Sequence, residues 1–158
     1  MKGCFLLLGV VSVSLAGCMD GYNSPLLGVT WKAPSGFNTP HEEPGPPRTA
    51  DFGNGLMLYS LDLQTGPLEA NAPIEALSDL VRQKAKLPAL EPQSARAGTL
   101  PVGNVVRYEY KTPDGRELLY LVPMRNKTTL VRFYGPDKSY GSLSARVEGT
   151  LSTLRIRP

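Results

Sequence analysis

Few side chains in this 158-residue sequence have the types and spacing that chemistry requires. The only histidine stands in His41-Glu42-Glu43, one imidazole beside two carboxylates, which as a metal site lacks any second histidine or nearby cysteine to complete a zinc sphere. Calcium would need more oxygen ligands than this triplet supplies, so it reads as a solvated loop and the expected metal complement is none. Serines are plentiful, but no Gly-x-Ser-x-Gly or Ser-x-x-Lys pattern activates one, and no Gly-x-x-x-x-Gly-Lys loop cradles phosphate. Glu109 and Glu117 could form a hydrolytic carboxylate pair, yet Arg107 and Lys111 beside them make ion pairing the simpler role. No catalytic residue is assigned, and the chain is expected not to be an enzyme. The remaining reactive side chains are two thiols, Cys4 and Cys18.

Cys18 ends a distinctive leader. Lys2 gives it a positive start, and Phe5 to Leu15 is an uncharged run of eleven residues that as a helix would rise only about 16 Å, half of a bilayer core. The run closes on Leu15-Ala16-Gly17-Cys18, which resembles the lipobox of bacterial lipoprotein precursors. The resemblance implies that the Cys18 thiol is joined to diacylglycerol, that a signal peptidase cuts between Gly17 and Cys18, and that the new amino terminus receives an N-acyl group. Small residues at Ala16 and Gly17 suit a groove that holds backbone closely, and only a thiol supplies the sulfur for a thioether. Two or more acyl chains anchor stably where one does not, so the lipid bilayer is an expected partner and the protein membrane-attached without spanning. Cys4 would leave with the leader and Cys18 be consumed, leaving neither free thiol nor disulfide. An aspartate directly after the cysteine favours inner-membrane retention in this class; here Asp20 lies one place later, which points to the periplasmic face of the outer membrane.

The elements that would position any further site can be read along the chain. Residues 18–27 read as a lipidated tether, and 28–158 as one globular domain. Gly28 to Ala33 alternates as a half-buried strand, residues 38–54 form a long Pro-rich loop, and Leu56 to Leu61 is a strand buried on both faces. Pro73 to Lys86 is a helix with early acids, late bases and a stripe of Ile74, Leu77, Val81 and Ala85. A short strand near Ala95 to Gly98 precedes three segments from Val102 to Tyr134 that form an antiparallel meander. A second helix over Tyr140 to Thr153 carries Leu143, Val147, Leu151 and Leu154, and Leu154-Arg155-Ile156 adds a final strand. The expected class is α+β, an antiparallel sheet of about five to six strands covered by helices on both faces.

Treating Pro113-Asp114-Gly115 as a three-residue hairpin loop, with Gly115 in the position that tolerates positive φ, pairs Thr112 with Arg116. That register sets Tyr108 opposite Tyr120, Tyr110 opposite Leu118 and Lys111 opposite Glu117, so Tyr108, Tyr110 and Tyr120 share one face. Such a stripe is ordinarily core with hydroxyls reaching the rim. The alternative is a ligand or partner surface with Arg132 and Tyr134 at its edge. Asn126-Lys127-Thr128 fits a glycosylation acceptor but reads as a hairpin loop.

Trp31-Lys32-Ala33-Pro34-Ser35-Gly36-Phe37 at the first strand, the central meander and the helix leading into Leu-Arg-Ile together resemble the PsbP-like family across residues 28–157. The resemblance implies an antiparallel sheet between helices and, since relatives are mostly accessory or assembly proteins, a non-catalytic role; the loop at 38–54 departs from the family pattern, and no site is transferred. Composition agrees with a loop-rich folded domain. Gly 16 and Pro 15 make 31 residues, about a fifth of the chain where 12% is usual. The net charge of +3 comes from interleaved basic and acidic residues, so nucleic acid is not an expected partner. The function expected is a membrane-anchored envelope lipoprotein acting as a protein-binding or assembly module, its partner an envelope protein and its cofactors none beyond the acyl groups. The alternative is a small-ligand carrier using the tyrosine face.

Overall fold

The computed structural model describes residues 21–63, 74–124 and 126–157. The leader, including Gly17 and Cys18, lies outside the described residues. Among the described residues ten strands and two helices follow one another as β1 (Tyr22–Ser24), β2 (Val29–Trp31), β3 (His41–Glu43), β4 (Arg48–Asp51), β5 (Leu56–Leu61), α1 (Ile74–Lys84), β6 (Ser94–Leu100), β7 (Gly103–Thr112), β8 (Gly115–Pro123), β9 (Thr128–Gly135), α2 (Asp137–Leu151) and β10 (Arg155–Ile156). The class is α+β with antiparallel sheets. In place of one sheet of five to six strands there are two, of seven strands in the order β3-β4-β5-β9-β8-β7-β6 and three in the order β1-β2-β10.

The extra strands come from two segments expected to be irregular. Tyr22–Ser24 pairs with Val29–Trp31, and Ser24 and Leu27 are fully buried, so residues 22–27 belong to the domain and not to a tether. Within 38–54, β3 and β4 form a hairpin joined by Pro44–Pro47, extending the large sheet by two strands and burying Ala50 and Phe52. The prolines there sit in the turn, where no ladder donor is lost.

Each face of the large sheet carries its own core. On one side α2 and the small sheet cover Leu56, Leu58, Leu118, Val131 and Phe133, with Val147, Leu151, Val29 and Trp31 facing them. Trp31 Nε1 donates to the Thr150 carbonyl oxygen at 3.1 Å, tying the small sheet to α2. On the other side α1 and the turn that follows it lay Val81 and Ala85 against Tyr108, Tyr110, Leu119, Leu121 and Leu130. The expected stripe of α1 is only partly buried, while Ser78 and Arg82 beside it are buried completely or nearly so. Helix α2 begins at Asp137, three residues before the expected start, after an extended Pro136.

The meander differs from the expected register by one residue. The β7–β8 loop is two residues, Pro113 and Asp114, so Thr112 pairs with Gly115, Tyr110 with Glu117, Tyr108 with Leu119 and Arg107 with Tyr120. Because side chains alternate, this slip moves one strand's whole set to the other face. Lys111 then lies opposite Arg116, a like-charge pair that Asp137 in the first turn of α2 bridges through both of its oxygens. Gly115 is not held by a positive φ. A side chain there would collide with the Gly135 carbonyl and with Pro136, where the β9–α2 junction crosses the hairpin.

Candidate functional site

The sequence-designated tyrosines divide between the two faces of the sheet. Tyr108 and Tyr110 lie under α1 with no exposed surface, whereas Tyr120 is half-buried on the α2 side. The shared surface expected for Tyr108, Tyr110 and Tyr120 is therefore not formed, for the register reason given above. Arg132 and Tyr134 stand on the Tyr108/Tyr110 face, since Arg132 pairs with Leu119 and Tyr134 with Glu117.

Under α1 these side chains build a closed polar cluster. The Tyr108 hydroxyl donates to the Ile74 carbonyl oxygen at 2.5 Å, and the Tyr110 hydroxyl shares a 2.7 Å bond with Ser78 Oγ. Arg82, four residues beyond Ser78 on the same helical row, stacks its guanidinium 4.5 Å above the Tyr110 ring. Its Nη1 donates to Glu117 Oε2 at 2.6 Å and its Nε to the Pro88 carbonyl oxygen at 2.6 Å. Arg132 Nε donates to the other Glu117 oxygen. Arg82 and Glu117 are 3% and 1% exposed, so the pair sits in the core, with Arg132 leading outward at 22%.

Burial pushes both phenols above their ordinary value; at Tyr110, bonding to Ser78 and the Arg82 charge work the other way. At Arg132 burial opposes the charge, but the Glu117 carboxylate more than offsets it and holds the guanidinium above its usual value. With all six side chains hydrogen-bonded, the cluster can fix the position of α1 on the sheet, but its phenols present no hydroxyl to a ligand.

On the α2 face, Glu148 Oε1 accepts from Tyr120 at 2.6 Å and from Arg107 Nε at 2.7 Å, while Arg107 Nη1 reaches Glu109 at 3.0 Å. The expected pairing of Glu109 with Arg107 thus occurs, and Glu117 pairs with Arg82 and Arg132 instead of Lys111. Sequence reasoning missed Ser78, Arg82 and Glu148. The Ile74-Ser78-Arg82 row at four-residue spacing was the available signal for the first two. Strand alternation splits His41-Glu42-Glu43, sending Glu42 to the Tyr22 hydroxyl at 2.5 Å, and no metal-binding group of three His, Cys, Asp or Glu occurs among the described residues.

No protein-family model matches the chain, and no curated protein does so at a significant level. Among solved structures it is similar to cyanobacterial PsbP (CyanoP) from Synechocystis sp. PCC 6803, with a TM-score of 0.61 and 11% identity over 86% of this chain and 91% of that one. At such low identity the likeness speaks to architecture alone: two antiparallel sheets and two helices in a PsbP-like fold.

Proposed function

We propose that the chain is a lipoprotein of a bacterial cell envelope whose domain acts as a non-catalytic protein-binding or assembly module. Diacylglycerol and an N-acyl group on Cys18, after cleavage between Gly17 and Cys18, would hold it at the membrane, on the periplasmic side of the outer membrane. Support for the anchor comes from Leu15-Ala16-Gly17-Cys18 at the end of a short apolar run. No helix among the described residues is long and apolar enough to cross a membrane. The accessory role that the PsbP-like resemblance implies is in keeping with the fold.

The observation that favours a module over a carrier is the filled tyrosine face. Tyr108 and Tyr110 are wholly buried, bonded to α1, and separated from Tyr120 by the thickness of the sheet. A carrier built on those three side chains would need them to line one chamber. In-cell cross-linking of the native protein tests the reading: a discrete adduct with one envelope protein is expected, lost when Cys18→Ser removes the anchor. A stoichiometric small molecule extracted from the purified protein, with no protein adduct, would favour the carrier instead.

A further inference from the structure

Four cations from three separate elements line one surface cleft of about 660 Å³: Arg48 opening β4, Lys84 and Lys86 at the end of α1, and Lys127 in the turn between β8 and β9. Among the described residues Asp62 is the one carboxylate in the lining, and Asn126 adds a neutral hydrogen-bonding group. The helix dipole accounts for Lys84 and Lys86, which lie near carbonyl ends, but Arg48 opens a strand and Lys127 sits in a turn, and neither has such a reason to be there. Among the described residues none of the four forms an ion pair with a carboxylate.

Lys127 donates its Nζ to the Leu27 carbonyl oxygen, which holds the ammonium in place. Burial, and then the Arg48 charge, bring it below the ordinary lysine value, so the two cations are near enough to repel. Lys86 caps α1 with a φ of 56°, a position that usually holds glycine. Its N–H bonds the Gln83 carbonyl oxygen at 3.1 Å and the next N–H bonds Arg82 at 2.9 Å, so a lysine is kept at the cleft despite the backbone cost. Like charges gathered around one concave cleft, with Lys127 half-buried and Arg48, Lys84 and Lys86 exposed, favour an anion that neutralises them.

We propose that this cleft binds a phosphate-bearing anion, free in solution or as a phospholipid headgroup. Lysines meet phosphate as point charges and arginine as a planar fork, and the volume suits a small organic phosphate or diphosphate. The inference does not depend on lipidation of Cys18 and survives its failure.

Calorimetric titration of the full chain in nonionic detergent with inorganic pyrophosphate tests it. Saturable binding is expected, weakened about tenfold or more in the double variant Lys84→Gln/Lys86→Gln. Arg96→Gln/Lys138→Gln, which removes the same charge from exposed positions outside the lining, should stay within about twofold of the parent. Competition then separates the two sources. Displacement of pyrophosphate by short-chain phosphatidylglycerol, but not by phosphatidylcholine, supports a headgroup site; no displacement by either supports a free phosphate. Absence of saturable pyrophosphate binding, an unchanged affinity in the cleft variant, or an equal loss in both double variants overturns the proposal.

Discussion

Glu117 is the residue on which the α1 face turns, because its carboxylate pairs with two guanidinium groups, one buried and one half-buried. Glu117→Ala would leave Arg82 and Arg132 facing each other without a counter-charge, and a loss of about 3–5 kcal/mol in denaturant unfolding is expected. The tyrosines give a second residue-level consequence. Six of the seven, Tyr22, Tyr59, Tyr108, Tyr110, Tyr120 and Tyr140, have phenols raised above their ordinary value, with burial the leading cause in each. An unfolded chain releases these protons near pH 10 whereas the fold retains them, so their contribution is complete below about pH 10 and is lost as pH rises beyond it. Phenolate absorbance should therefore rise together with unfolding on alkaline titration. Most of it appearing while the far-ultraviolet signal stays native would contradict the buried arrangement.

At the scale of elements, the strands and helices with long periodic patterns were legible, as were the short β2 and β10, while β1, β3 and β4 were not. Leu56–Leu61 occupies the bounds that its apolar run predicts, and the meander and both helices lie where periodicity puts them. β1, β3 and β4 escaped because three or four residues set among Pro and Gly show no period. They exist through pairing with β2 and β5, a tertiary effect that local pattern does not record. Register escaped for another reason. Pro113-Asp114-Gly115 supports a two- or a three-residue loop, and the choice is made by Asp137 and Arg82, which approach from helices remote in sequence. The same gap hid the buried site, since Arg82 reads as a base suited to the end of α1 until Glu117 is placed opposite it. Gly149 stands inside α2 with open space where a Cβ would be, so it weakens the helix without a packing reason. Gly149→Ala should accordingly stabilise the domain by up to about 1 kcal/mol, read as a higher midpoint in thermal unfolding.

For the whole molecule, both faces of the large sheet are covered, one by α1 and the other by α2 with the small sheet. The tyrosine, arginine and glutamate clusters hold those layers together. β10 returns the end of the chain to β2, so Arg155–Ile156 and Val29–Thr30 close the domain beside the segment that leads back toward Cys18. A domain built this way would suit work beside a membrane if Cys18 carries the proposed lipid. The central claim is that attachment. Phase partitioning in detergent, with intact-mass analysis of the native protein recovered from cells, tests it most directly. The account predicts a detergent-phase chain beginning at Cys18 and carrying diacylglycerol and an N-acyl group, and a Cys18→Ser chain that is neither processed at that bond nor lipidated. A Cys18→Ser protein still fully processed and still in the detergent phase would contradict it.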